Sequence, residues 1–161
     1  MITIANQPGV TDLFIKANVM IDENGQPRLA DFGIRTFVSN SPKLFISNSS
    51  FPDDSRIRWM SPELFDPVSF EPENSQPTKG SDCYALGMVI LEVLSGEPPF
   101  VHDYHYSVTY KVVNGEHPGR PEGAWCTDAL WRTMRQCWSR KPYGRPTAKA
   151  VLQSLEQASK L

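Results

Sequence analysis

A mainly α-helical fold with one small β-hairpin is what the sequence predicts, and three observations carry it. The run from Asp82 to Gly96 is apolar almost throughout, three later segments carry helical spacing, and one Asn-Gly pair separates two short extended stretches. With 161 residues, 40% hydrophobic content and a net charge of −2, the chain can bury the core of one domain. Nothing in that balance is basic enough to track nucleic acid. The 14 prolines gather in the connections, so the helices should be joined by irregular, rigid loops.

Taken in order, residues 1–17 form no clear element and lack the basic region and apolar run of a signal peptide. Asn18-Val-Met-Ile21 and Arg28-Leu-Ala30 flank a turn centred on Asn24-Gly25 and read as a hairpin. Residues 34–58 are polar and serine-rich, without helical period. A loop this long inside a domain is functional or disordered. Ser61-Pro62-Glu63 can open a short helix, with Ser61 as cap and Pro62 at the first position, and residues 66–79 read as a proline-rich connection.

Asp82–Gly96 is the central element, a helix of about four turns. Asp82 is a good N-cap and Gly96, before Glu97-Pro98-Pro99, a good stop. Glu92 is the only charge between them, so the helix should be buried nearly all round, and it is too short to span a membrane. Tyr104–Asn114 is a shorter helix ending at Gly115. Asp128 caps a segment whose Leu130, Trp131, Met134, Cys137 and Trp138 share one face, and Thr147–Ser159 closes the chain as an amphipathic helix. The three cysteines, Cys83, Cys126 and Cys137, are far apart and odd in number. They suit reduced core thiols, and with them a location inside the cell, in the cytoplasm.

Five motifs in order resemble the C-terminal lobe of a protein kinase domain of the tyrosine-kinase or tyrosine-kinase-like group. They are Leu29-Ala-Asp31-Phe-Gly33, Arg58-Trp-Met-Ser-Pro-Glu63, Ser81-Asp82-Cys-Tyr-Ala-Leu-Gly87, Gly96-Glu-Pro-Pro-Phe100, and Cys137-Trp138 followed by Arg145-Pro146. The resemblance covers roughly residues 16–159. It implies a kinase-like C-lobe over residues 18–161, with an activation segment at 31–63 and the central helix at 82–96. Residues 1–17 then hold an imperfect remnant of the catalytic loop. No Gly-rich loop, ATP-orienting lysine or partner glutamate stands before residue 18, so the N-lobe is expected to be absent.

The family's activity is ATP-dependent phosphorylation of protein Ser, Thr or Tyr, and the resemblance implies ATP and Mg²⁺ as cofactors. Asp31 would hold Mg²⁺ against the nucleotide phosphates and Asn18 would serve the second metal; a turn carboxylate and a strand-edge amide are the plain alternatives. The family places its catalytic Asp five residues before that Asn. Here the fifth residue back is Leu13, and Asp12 stands one step too far. Asp12 is thus the candidate catalytic base out of register, since one residue shifts a carboxylate by ~3 Å and a general base must touch the substrate hydroxyl.

Glu63 and Arg145 would form a buried ion pair, the alternative being two solvated charges. Asp82 would brace the catalytic loop or simply cap its helix. The chain alone is therefore expected to be a partial kinase domain without turnover, or a degenerate lobe acting as an interaction or regulatory module. Its partner is a protein substrate or regulator, with no nucleic acid and no membrane. Uncovered Leu, Val or Met side chains are expected along the central helix, where a partner could cover them.

Overall fold

Asp22 sets the hairpin. Its carboxylate accepts hydrogen bonds from the Asn24 and Gln26 backbone N–H groups at 2.9 and 2.8 Å and from Arg28 Nε at 2.9 Å. Those bonds, led by the one from Gln26, hold its carboxyl below the usual range. Gly25 takes φ +71° at the tip, a conformation that costs glycine nothing. The strands β1 (Val19–Ile21) and β2 (Pro27–Leu29) pair antiparallel with Val19 opposite Leu29. The computed structural model describes residues 19–29, 56–70 and 77–158.

The rest is helical, as the sequence predicts. A 3-10 turn at Ile57–Trp59 leads into α1 (Pro62–Phe65) and α2 (Pro67–Phe70). The central helix α3 spans Lys79–Ser95, and α4 (His105–Val113), α5 (Asp128–Cys137) and α6 (Ala148–Ala158) follow. A second 3-10 turn, Pro142–Gly144, lies between α5 and α6. The short α2 falls inside the stretch expected to be only a connection. Asp66 opens it by accepting from the Ser69 N–H at 3.2 Å, and Pro67 fits a first helical position.

Two helix starts differ from the sequence reading, and one expected cap lacks its side-chain bond. Asp82 is not the cap of α3. Thr78 is: its Oγ1 accepts from the Ser81 N–H at 3.2 Å, while Ser81 Oγ accepts from the Thr78 N–H at 2.7 Å. This reciprocal box satisfies donors at both positions, so the helix gains the turn Lys79–Ser81 and runs 79–95 rather than 82–96. Asp82 then sits in the first turn, where the helix dipole favours a carboxylate. Thr127, not Asp128, caps α5, accepting from the Leu130 N–H at 3.3 Å. Ser61 holds the cap position of α1, but its buried hydroxyl makes no hydrogen bond. At the other end of α3 the stop is as expected, with Gly96 left-handed at φ +79°.

The core gathers around α3. Cys83, Tyr84, Met88 and Leu91 pack with Ile57, with Val108 and Val112 of α4, with Leu130, Met134 and Cys137 of α5, and with Val151 of α6. Gly87 lets α3 and α5 approach closely: a Cβ there would stand 2.7 Å from both Cys137 Cβ and Trp138 Nε1. Burial of α3 is less complete than its composition suggests. Val93 and Leu94 are 69% and 39% exposed, so apolar side chains do lie uncovered in its last turn. All three cysteines are buried free thiols, and Cys83 of α3 and Cys137 of α5 lie in the same core cluster.

Candidate functional site

Two arginines organise the described part of the site. Arg145 lies just beyond the second 3-10 turn, held extended before Pro146, which turns its side chain back into the core. Its Nη1 donates to Glu63 Oε1 at 2.6 Å and its Nη2 to Glu63 Oε2 at 2.7 Å. Nη1 also donates to the Gly80 carbonyl at 2.9 Å, and Nε to the Ser139 carbonyl at 2.8 Å. A longer contact at 3.5 Å joins Nη2 to the Arg140 carbonyl. The guanidinium rests 5.1 Å from the centre of the Tyr84 ring. Every donor of the planar fork thus has an acceptor, which is the geometry a buried arginine needs. Both side chains of the pair are nearly inaccessible, at 1% and 3%. Burial also drives the Tyr84 hydroxyl well above its usual range, so it stays neutral beside the charges.

Arg58 makes the second clamp. It donates to the carbonyls of Pro99, Phe100 and Asp103, at 3.0 Å for Pro99 and 2.8 Å for Asp103. Three carbonyls converging on one cation hold the loop after α3 in place. Phe100 there has φ +54°, a left-handed conformation that costs a bulky side chain about 1–3 kcal/mol unless its surroundings enforce it. Trp59 adds a third tie, its Nε1 donating to Glu92 Oε2 at 3.1 Å. The segment 57–63 is thereby fixed at three successive points to α3, to the loop 99–103 and to the Arg145 turn.

The structure brings together the expected pair Glu63 and Arg145, and the alternative of two solvated charges is excluded by their burial. Asp82 is buried at 8% exposure in the first turn of α3. Asp12, Asn18 and Asp31, the expected base and metal ligands, lie outside the described residues. Arg58, Trp59 and Glu92 were not singled out from the sequence as a connected set. The signal was present in Glu92, the one charge inside an apolar helix, since a buried carboxylate must find a donor. Its indole partner could not be named from spacing, because the two residues lie 33 positions apart.

The family model described as "Protein tyrosine and serine/threonine kinase" matches residues 12–155 of this chain. Among curated proteins, the chain is 28% identical over 148 residues to the cytokinesis protein sepH of Aspergillus terreus, covering 91% of this chain and 10% of that protein. It is 28% identical over 140 residues to the dual specificity protein kinase shkC of Dictyostelium discoideum, covering 87% and 26%. It is 27% identical over 140 residues to the cytoplasmic tyrosine-protein kinase BMX of Mus musculus, covering 86% and 20%. The chain therefore spans between a tenth and about a quarter of the length of these relatives.

Proposed function

The chain belongs to the protein tyrosine and serine/threonine kinase family, and on that premise we propose that it supplies the helical, substrate-side part of a protein kinase domain. The reaction is ATP-dependent phosphorylation of a Ser, Thr or Tyr hydroxyl on another protein. The observation that supports this most is the anchoring of residues 57–63 by the buried Glu63–Arg145 pair and the Arg58 clamp. Phosphoryl transfer is chiefly a matter of positioning, and a segment held at three points can present a substrate hydroxyl in a fixed place.

Asp31 and Asn18 are the residues that would hold Mg²⁺, and a carboxylate with an amide oxygen suits a hard divalent cation. Bound Mg²⁺ would neutralise phosphate charge. Asp12 is the candidate base, one residue out of the family's register. The protein works inside the cell on this reading, where three buried free thiols stay reduced. No described helix is long and apolar enough to cross a membrane.

Alone, the 161 residues should not turn over ATP, because neither a Gly-rich loop motif nor an ATP-orienting lysine with its partner glutamate stands before residue 18 of their sequence. The test is Mg²⁺-dependent phosphate transfer to a mixed Ser/Thr/Tyr peptide pool, measured for the chain alone and for the chain joined behind the N-terminal lobe of shkC. The expected result is silence for the first and transfer for the second, abolished by Asp31→Ala. A folded but silent chimera would instead favour a degenerate lobe that serves as an interaction or regulatory module. That second reading draws support from the exposed tyrosines around α4, Tyr104, Tyr106 and Tyr110.

A further inference from the structure

A contiguous exposed apolar patch can mark an interaction site, and aromatic side chains can bury a large area there. Tyr106 and Tyr110 stand one turn apart on the outer side of α4 and are 75% and 69% exposed. Tyr104, before the helix, is 73% exposed and stacks flat on Tyr106 with ring centres 5.9 Å apart. Beside them lies a shallow, open surface hollow of about 500 Å³ lined by Asp103, Tyr106, Ser107, Tyr110, Lys111 and Glu116.

The charges in this pocket are unequal. Lys111 Nζ donates to Asp103 Oδ1 at 2.7 Å, so the one ammonium and one of the two carboxylates answer each other. The Glu116 N–H bonds to the Lys111 carbonyl at 2.9 Å and fixes that residue against the end of the helix, while its carboxylate is exposed and meets no cation among the described residues. The pocket therefore offers two aromatic faces and one uncompensated negative charge. An arginine matches both, because its planar guanidinium stacks on a ring and forks onto a carboxylate. A phosphorylated or acidic segment would meet the carboxylate of Glu116 with the pocket's only ammonium already engaged.

We propose that this pocket docks an arginine-bearing segment of a protein partner, with the guanidinium between the Tyr106 and Tyr110 rings and the Glu116 carboxylate. Its wall continues into the anchored segment, since the Asp103 carbonyl accepts from Arg58 at 2.8 Å. A partner seated here lies next to the residues that would present its hydroxyl. The docking rests on the kinase reading only in taking the partner to be a protein. Binding needs no phosphoryl transfer, so a silent kinase assay leaves the docking standing, and failed docking leaves the kinase reading standing.

The experiment is fluorescence anisotropy of the 161-residue chain with a labelled Gly-Arg repeat peptide and with its Gly-Gln counterpart. The Gly-Arg peptide should bind and the Gly-Gln peptide should not. Glu116→Lys should weaken binding at least tenfold, and Tyr106→Ala or Tyr110→Ala at least threefold, with unchanged thermal midpoints because all three side chains are exposed. Glu97→Lys, an exposed charge reversal outside the pocket, should leave binding within twofold of the parent. Equal loss in E97K and E116K would reduce the effect to general charge and overturn the proposal. So would unchanged binding in E116K, or a dimer by sedimentation that Tyr106→Ala dissolves, which would seat a second copy of the chain in the pocket.

Discussion

Arg145 and Glu63 show how a single pair can decide the stability of a segment. Removing one member leaves the other buried without its counter-charge, which costs ~3–5 kcal/mol. Glu63→Ala should therefore shift the urea midpoint sharply downward, while the double change of both residues to Met should recover part of the loss. A full loss in the double variant would show that packing, not charge, holds the segment. His117 offers a second measurement. It leans on Trp138 with ring centres 5.7 Å apart, and burial, followed by the nearby Arg135 charge, lowers its pKa below the ordinary 6.5. The unfolded chain takes the proton first. Its contribution is complete above pH 6.5 and is lost as pH falls through the lowered folded value. Stability measured from pH 7.5 to 5 should decline in the parent and decline less in His117→Gln. The Glu63–Arg145 pair was legible in the sequence because each residue sits beside a proline in a motif of known order. Arg58 was quoted in such a motif, yet its three carbonyl acceptors are backbone groups, which carry no side-chain signature.

At the scale of elements, the existence of every long helix could be read from spacing, but the caps of α3 and α5 could not. Caps are decided by which nearby hydroxyl wins a few hydrogen bonds. Asp82 and Thr78 are both good cap residues, and only the reciprocal bond from Ser81 settles the choice in favour of Thr78. The hairpin was legible because Asn24-Gly25 supplies a turn that few other pairs allow. The closeness of α3 and α5 was not, since nothing in the sequence says which glycine faces a tryptophan. Gly87→Ala tests that contact. The added methyl would meet Cys137 and Trp138 at distances real Cβ atoms do not tolerate, so helix separation must grow. Destabilisation of about 1–3 kcal/mol is expected, measured by thermal unfolding, together with altered tryptophan fluorescence from Trp138. An unchanged midpoint would mean that the two helices slide apart without loss.

For the molecule as a whole, the fold class was the most secure reading and the catalytic machinery the least accessible one. An apolar helix amid amphipathic ones can be stable only at the centre of a helical layer, so the architecture follows from composition. The proposed chemistry would rest on Asp12, Asn18 and Asp31, whose proposed roles come from motif order rather than from any contact among the described residues. The long range of the Arg145 bonds has a consequence for how the protein is made. Glu63 and its partner are separated by 82 residues, and a ribosome adds ~5–20 residues per second. For about 4–16 s the carboxylate is already synthesised while its guanidinium is not. During synthesis the hairpin and α1 can form early, but the last piece of the lock arrives only when Arg145 has been added. A nascent chain stalled before residue 145 would carry the 57–63 segment unlatched, open to proteases and chaperones until translation resumes.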